Sequence, residues 1–379
     1  MYFRKNQDNN SAGWLSGFIK LLNILAIAGL LLAYAGYHVS PLTTLIPVFF
    51  GLSYPFWLVL NILFVLFWLF RKKVFLVFSL LAVVIGWSHV GRTFQPSLKS
   101  APQRPDKGIH VMTYNVKLFD IYNYRNNPEN QTHKEIFQFL SENQPAILCL
   151  QEFYTEDTGS MAVIDSILAV LPNREYHIDF FQTRRKEHHW GIATFSSYPV
   201  INRQRYQFRN STGNYCILTD ILYEKDTLRI INTHLESWHF EEADLALMQD
   251  VKSHGIGSDT VKQDIKNVYW KIENAFMKRA VQARELEKII LESPYPSLVC
   301  GDFNGTPLSY TYKLVNKHLN DAFVDHGRGF GKTFRDGLPY FRIDYIFYDD
   351  HFEPLWFKTY PLPHSDHHPV STVLNLKNM

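Results

Sequence analysis

Apolar positions run nearly unbroken through the first ninety or so residues. Segments 21–37, 42–70 and 74–91 are separated only by short polar joints. Apolar runs of roughly 18 residues or more read as bilayer-spanning helices, so the pattern predicts three spans. The second run is over-long and carries Gly51 and Pro55, which predicts a kink or tilt inside it. Beyond residue 108 the pattern changes to short apolar runs alternating with amphipathic segments. It predicts strands over 109–115, 146–150, 191–195, 215–222, 228–232, 297–300 and 343–348, and helices over 132–142, 158–171 and 265–291. Strands outnumber helices, which implies a sheet-based α/β domain with more than one sheet. No internal repeat or low-complexity tract appears.

Residues 95–107, rich in Pro, Ser and charge, read as a linker. The expected organisation is a transmembrane module at 1–94, the linker, and one domain at 108–379 long enough to bury a substantial core. Charge follows the same division. Residues 1–105 hold a single acid, Asp8, and nine Lys or Arg; the remainder holds 35 of the 36 acids against 29 of the 38 bases. Arg4, Lys5 and Lys20 precede the first run, the joint at 38–41 has no Lys or Arg, and Arg71, Lys72 and Lys73 separate the second run from the third. The positive-inside rule places the N-terminus and the Arg71 joint in the cytoplasm. Three spans then deliver the large domain to the outer side of a plasma (inner) membrane. Arg92, Lys99, Arg104 and Lys107 pull the other way, but large translocated domains tolerate such charges. A cleaved signal peptide fits less well, because no clear small-residue cleavage site follows the first run and two more spans do.

Polar residues at the ends of the predicted strands carry the chemistry. Cys300-Gly301-Asp302-Phe303-Asn304-Gly305-Thr306-Pro307 sends an Asp and an Asn from an apolar run into a turn, and an Asp-x-Asn at a strand end puts both side chains on one face. Four more strands show the same logic: one ends in Asn115, one in Gln151-Glu152, one in Thr233-His234, and one embeds Asp344 in Arg342-Ile343-Asp344-Tyr345-Ile346. Finally, His364-Ser365-Asp366-His367-His368-Pro369 sets an acid beside imidazoles just before the last strand. Singly, a strand-end Asn or His is usually a turn former, and His188-His189 reads equally well as a solvated loop. Asp344 is different, since a carboxylate within a buried strand needs a partner or a metal. Six segments together point to one site. Cys149, Cys216 and Cys300 lie in apolar runs with neither zinc nor disulfide spacing, and read as small buried hydrophobes.

The order and wording of these segments, QE, THLE, GDFN, RIDYI and SDHHPV, resemble the endonuclease/exonuclease/phosphatase superfamily over roughly residues 108–375. That resemblance implies a four-layer α/β sandwich of two packed mixed sheets (DNase I-like), here preceded by about three transmembrane helices. It also implies a Mg²⁺-dependent phosphoric ester hydrolase, with Mn²⁺ possible. Position by position, Glu152 is similar to the principal metal ligand, with Asn115 beside it and Asp366 supporting the metal side. Asp302 and Asn304 resemble the pair that contacts attacking water, phosphate and metal. His367 resembles the catalytic imidazole, Asp344 its orienting carboxylate, and His234 the second imidazole on the phosphate. AP endonucleases carry an acid where this chain has Lys117 and a Tyr where it has His234, so the match is nearer the DNase I and sphingomyelinase pattern.

The resulting expectation is a membrane-anchored phosphodiesterase, nuclease-like, with a phospholipid or sphingomyelin-type diesterase or a phosphomonoesterase as the alternative. Its partners are a phosphodiester substrate (nucleic acid or phospholipid headgroup) and the lipid bilayer; no protein partner is implied. The excess of acids argues mildly against tight duplex-DNA binding, with Arg184, Arg185 and Lys186 as a local exception. A non-catalytic membrane receptor or scaffold would be expected to lack at least one motif residue, and none is missing. Residues 237–274, directly after the His234 motif, read as an inserted helical hairpin or as a lid carrying Phe240, Leu245, Leu247, Met248 and Val251.

Overall fold

The computed structural model describes residues 4–71, 74–96, 103–209, 211, 213–238, 259–336 and 340–377, with backbone alone for 4–13 and 259–264. The chain divides into two compact units, Met1–Thr93 with Pro307–Lys313, and Phe94–Thr306 with Leu314–Met379. The first unit contains α1 (Arg4–His38), α2 (Ile46–Leu52), α3 (Tyr54–Arg71), α4 (Phe75–Ile85) and α5 (Trp87–Thr93). Trp14–His38 and Tyr54–Arg71 are long and apolar enough to cross a membrane, and α4 with α5, bent by 55°, makes a third span if the pair is one. The over-long second run is two helices broken at Ser53, because Pro55 has no N–H to continue the ladder across that point. Buried amides tie α1 to its neighbours. Asn23 Nδ2 donates to Ser79 Oγ (2.7 Å), Trp68 Nε1 donates to Asn23 Oδ1 (2.8 Å), and Asn61 Nδ2 donates to the Ala26 carbonyl (2.8 Å). Side-chain hydrogen bonds of this kind join apolar helices where burial alone gives no preference for protein over lipid.

The second unit is built on twelve strands among the described residues. They are β1 (Ile109–Asn115), β2 (Ile147–Glu156), β3 (Glu175–Arg184), β4 (His188–Ser196), β5 (Val200–Gln207), β6 (Tyr215–Tyr223), β7 (Asp226–His234), β8 (Ser297–Asp302), β9 (Asn320–Asp321), β10 (Asp344–Tyr348), β11 (Phe352–Thr359) and β12 (Val370–Leu376). They form two six-stranded sheets, ordered β11-β12-β1-β2-β4-β3 and β5-β6-β7-β8-β10-β9. Each sheet is mixed, with one parallel pair at its centre: β1/β2 in the first and β7/β8 in the second. Helices α6 (Ile121–Asn126), α7 (Thr132–Asn143), α8 (Val163–Val170) and α9 (Asp259–Leu291) belong to it, as does the end of α10 (Tyr310–Asn316), whose residues up to Lys313 fall in the first unit; α11 (Ala322–His326) completes it.

The two-residue period of the strands sorts their side chains between layers. Ile109, Val111, Ile147, Cys149, Ile230, Leu298, Cys300 and Ile346 share the core between the sheets. Met112, Tyr114, Leu148 and Leu150 point the other way, onto Ile136 and Leu140 of α7 and Ile167 of α8. All three cysteines are buried and free. Most of the strands missing from the predicted set are edges. Most residues of β3 and β5 are exposed or half-buried, and β11 carries Pro354 and a register shift. An edge strand buries too little to leave a hydrophobic run in the sequence. Gln95, inside the predicted linker, pairs with Gly329 in the second unit. The long helix α9 begins at Asp259, six residues before its predicted start, and residues 239–258 of the inserted segment lie outside the described residues.

Two buried histidines contribute to the acid sensitivity of this domain. His110 packs against Ser371 (Nε2 to Oγ 3.0 Å) and His177 against Thr219 (Nδ1 to Oγ1 2.9 Å). Burial, with Arg104 and Arg203 respectively, lowers both imidazoles to about 4. In the unfolded chain each takes up a proton near pH 6.5 that the fold refuses. Stability is therefore present above about pH 6.5 and lost as pH falls toward 4. Each group contributes a slope of about 1.4 kcal/mol per pH unit across that window. Urea unfolding between pH 7 and 4.5 is expected to show this slope, reduced by about one proton in His177→Asn. An unchanged slope in the variant would remove His177 from the account.

Candidate active site

The site is the polar end of the inter-sheet core. On β1 the inward series Ile109, Val111, Thr113 ends in Asn115; on β7 Leu228, Ile230, Asn232 ends in His234; on β8 Leu298, Cys300 ends in Asp302. Strand β10 runs antiparallel to β8 and begins with Asp344, paired in register with Asp302. The C-terminal ends of both parallel pairs therefore deliver polar side chains into one gap between the sheets. Just below them a buried amide layer locks sheet to sheet. Gln151 Nε2 donates to Asn232 Oδ1 (2.6 Å) and to Thr113 Oγ1 (3.0 Å), and Asn232 Nδ2 donates to the Ala193 carbonyl (2.8 Å).

Glu152 reaches the gap by breaking the strand alternation. The register of β2 against β4 shifts between Leu150 and Phe153, and Glu152 adopts a left-handed φ of 46°. This bulge lets consecutive residues serve the same end of the core: Gln151 in the amide layer, Glu152 beside Asn115. Asn304 is left-handed too (φ 48°), as are all four residues from Lys117 to Asp120. Non-glycine residues in that region each cost of order 1–3 kcal/mol and cluster where the surroundings enforce them.

One amide and one acid organise the cluster. Asn115 Nδ2 donates to Glu152 Oε1 (3.1 Å) and to Asp302 Oδ2 (3.0 Å), while its Oδ1 accepts from the Lys117 backbone N–H (3.1 Å). Asp302 Oδ1 accepts from the Asn304 N–H (2.8 Å), and Asn304 Nδ2 donates to the Leu235 carbonyl (3.1 Å). His234 Nε2 lies 3.6 Å from Asp302 and 3.9 Å from Glu152, with no hydrogen-bond partner. On the opposite side His367 Nδ1 meets Asp344 Oδ2 at 2.9 Å, and its Nε2 lies 3.7 Å from Asp302 Oδ2. The loop bearing His367 is fixed by Ser365, whose Oγ donates to the Asn115 carbonyl (2.8 Å) and accepts from the His367 N–H (3.1 Å).

Electrostatics follow from these placements. Burial disfavours the His367 imidazolium, but the carboxylates of Asp344 and Asp302, with Asp366 farther off, outweigh it and hold the pKa up to about 10. Burial raises the Asp302 carboxyl, and Asp344 adds to this, against the pull of His367 and His234. The fold thus gathers Asn115, Glu152, Asp302, Asn304, His234, Asp344 and His367 into one connected group. Asp366 is linked to it less directly, through the Ser365 hydroxyl (3.3 Å) and an ion pair with Lys117 Nζ (3.2 Å). A cleft of about 570 Å³ opens off Glu152 and His234, walled by Tyr122, Phe181, Arg184, Trp190 and Lys278 among others. His188 and His189 stand apart, His188 on Tyr154 and Glu156, His189 on Thr183 and Asp157. Asn232 and Ser365 are supporting residues to which the sequence reading gave no role. The one available signal was that each lies within two residues of a motif imidazole.

The profile of the Endonuclease/Exonuclease/phosphatase family matches residues 112–367. The chain belongs to that family. A solved structure shares the fold. An endonuclease/exonuclease/phosphatase family protein from Bacteroides thetaiotaomicron is 17% identical with a TM-score of 0.51, covering 72% of this chain and 99% of its own. The human nocturnin catalytic domain is 17% identical (TM-score 0.49, covering 71% and 94%), and a mannosyl-6-phosphatase from Bacteroides thetaiotaomicron 16% (0.49, covering 70% and 99%). Residues 16–93 match a domain of unknown function, and no curated protein matches the chain.

Members of this endonuclease/exonuclease/phosphatase family are typically metal-dependent, and the residues here suit a hard cation. Two carboxylates, Glu152 and Asp302, converge on a single amide N–H₂ group. That arrangement leaves negative charge unbalanced and offers oxygen donors only, the set that Mg²⁺ prefers. Asp302, Asp344 and His367 also place ligand atoms within 4.8 Å of one another. His367 Nδ1 is already engaged by Asp344, however, so that trio reads better as an imidazole held between two acids.

Gly301 is required where β8 passes β7. Its φ is +145°, and a Cβ there would lie 1.9 Å from the Thr233 carbonyl oxygen. Gly301→Ala is expected to cost at least ~2 kcal/mol, seen as a fall in thermal midpoint, because the strands carrying His234 and Asp302 must part. A wild-type midpoint would mean that the two strands tolerate separation.

Proposed function

We propose that the protein is a membrane-anchored, metal-dependent phosphodiesterase, nuclease-like in its chemistry, with Mg²⁺ as its ion and Mn²⁺ as a substitute. The observation that carries this reading is the convergence of Glu152, His234, Asn304 and the Asp344–His367 pair on the buried carboxylate of Asp302. Glu152 and Asp302, steered by Asn115, would hold the cation, with Asp366 on its margin. Bound there, it supplies the positive charge that a phosphodiester's non-bridging and leaving oxygens require.

The remaining steps belong to side chains. Asp344 fixes the ring of His367 through Nδ1 and leaves Nε2 facing Asp302, so a water hydrogen-bonded to both would be oriented and give its proton to Nε2 of the neutral imidazole. Asn304 and His234 border the same space. Their amide and imidazole can donate to the phosphoryl oxygens, and His234 can protonate the leaving oxygen. The cleft beside Glu152 and His234 would receive the ester's organic part. The basic residues before the first span and at the Arg71 joint support a cytoplasmic N-terminus, with the catalytic domain on the outer side of the plasma (inner) membrane.

Detergent-solubilised protein is expected to hydrolyse bis-p-nitrophenyl phosphate with Mg²⁺ or Mn²⁺ and to lose activity with EDTA. His367→Ala, Asp302→Ala and Glu152→Ala should each lower kcat by about a thousandfold or more. Plasmid DNA, short-chain phospholipids and phosphomonoesters assayed alongside identify the physiological class. Near-normal turnover by Asp302→Ala would sink the assignment, and metal binding without turnover on any of these esters would favour a receptor or scaffold.

A further inference from the structure

The reaction scheme leaves Arg279 unused, although it is 1% exposed and one of the largest fully buried side chains in the chain. It lies on α9, the helix that leads into β8. Its Nη1 donates to the carbonyl of Glu236 (2.7 Å), two residues beyond His234. One turn along the same helix, Gln282 Oε1 accepts from the Glu236 N–H (2.8 Å), and Lys278 Nζ donates to Glu236 Oε1 (2.6 Å). Three side chains of a single helical face therefore hold the backbone N–H, the carbonyl and the carboxylate of one residue.

That residue is tied to the catalytic cluster from its other side. The Leu235 N–H donates to the Asp302 carbonyl (2.9 Å), and the Leu235 carbonyl accepts from Asn304 Nδ2 (3.1 Å). The segment from His234 to Glu236 is thus fixed between the Asp302–Asn304 turn and α9. The guanidinium stacks over Phe276 (4.6 Å to the ring centroid), which restricts it to this pose. Burial lowers it to about 9, against the pull of the Asp302 and Glu236 carboxylates. A buried guanidinium is costly unless it fixes something.

From this arrangement we infer that Arg279, with Gln282, is a positioning residue for the phosphohydrolase reaction. It acts through His234 by clamping Glu236, and so sets the imidazole's height above Asp302. This inference rests on the function proposed above and adds α9 to the machinery. Lysine at 279 keeps a charge but cannot make a planar, stacked contact while donating to the carbonyl, so the imidazole loses its register while the fold retains a cation.

The test is a double-mutant cycle on the full-length protein in detergent, using bis-p-nitrophenyl phosphate with Mn²⁺. Arg279→Lys is expected to lower kcat about tenfold or more while KM stays within about threefold, with Gln282→Ala giving the same pattern more weakly. In the His234→Ala background neither substitution should lower kcat further, because a residue that acts through His234 has nothing left to position. Thermal midpoints are measured on every variant, and Gln282→Ala carries the cycle if Arg279→Lys does not fold. Additive losses, or a rise in KM alone, overturn the inference and leave the proposed function intact. Absent wild-type hydrolysis, or wild-type rates in His234→Ala, overturns both.

Discussion

A carboxylate cannot be buried alone, and the placement of Asp302 follows from that constraint. Its side chain is 1% exposed at the end of a central strand, where water cannot solvate it. Hydrogen-bond donors and groups able to carry positive charge surround it, against the opposing Asp344 carboxylate. Asn115 donates from one side and the Asn304 N–H from below, while His234 and His367 flank it. These groups come from both sheets and from the loop before the last strand. Satisfying one acid therefore requires that the two sheets close upon each other.

The closure has a structural counterpart one layer deeper. The Thr113–Gln151–Asn232 bridge crosses the inter-sheet space where aliphatic residues would otherwise continue. Hydrogen-bonded amides define a register that aliphatic contacts leave loose. Strand ends that arrive in fixed register can hold carboxylates and imidazoles at defined separations, which a site built on loops alone achieves less well. The left-handed backbone at Glu152 and Asn304 marks where this order departs from regular strand geometry. Both residues face the gap because of that departure.

His367 shows how the same environment adjusts chemistry. Between Asp344 and Asp302 its imidazole favours the protonated form. Positive charge bound near Glu152 and Asp302 would compete with that proton. A cation held by those carboxylates would thereby be linked to the protonation of the site.

The sequence by itself determined much of this. Apolar run lengths marked the helices long and apolar enough to cross a membrane, and alternation marked the inner strands. Polar residues ending apolar strands singled out the side chains that the fold gathers, since a polar group at the end of a strand buried along its length stands out against the apolar run. Tertiary structure decided what depends on partners distant in sequence. The edge strands β3 and β5 left no hydrophobic run because one neighbour and few buried residues suffice to hold them. The turn of Glu152 into the gap needed a bulge against β4, which no local pattern encodes. Arg279, Gln282 and Glu236 read as ordinary polar residues of a helix and a loop. Their meaning arises only when α9 lies against the end of β7, because a hydrogen bond between residues more than forty positions apart has no signature along the chain.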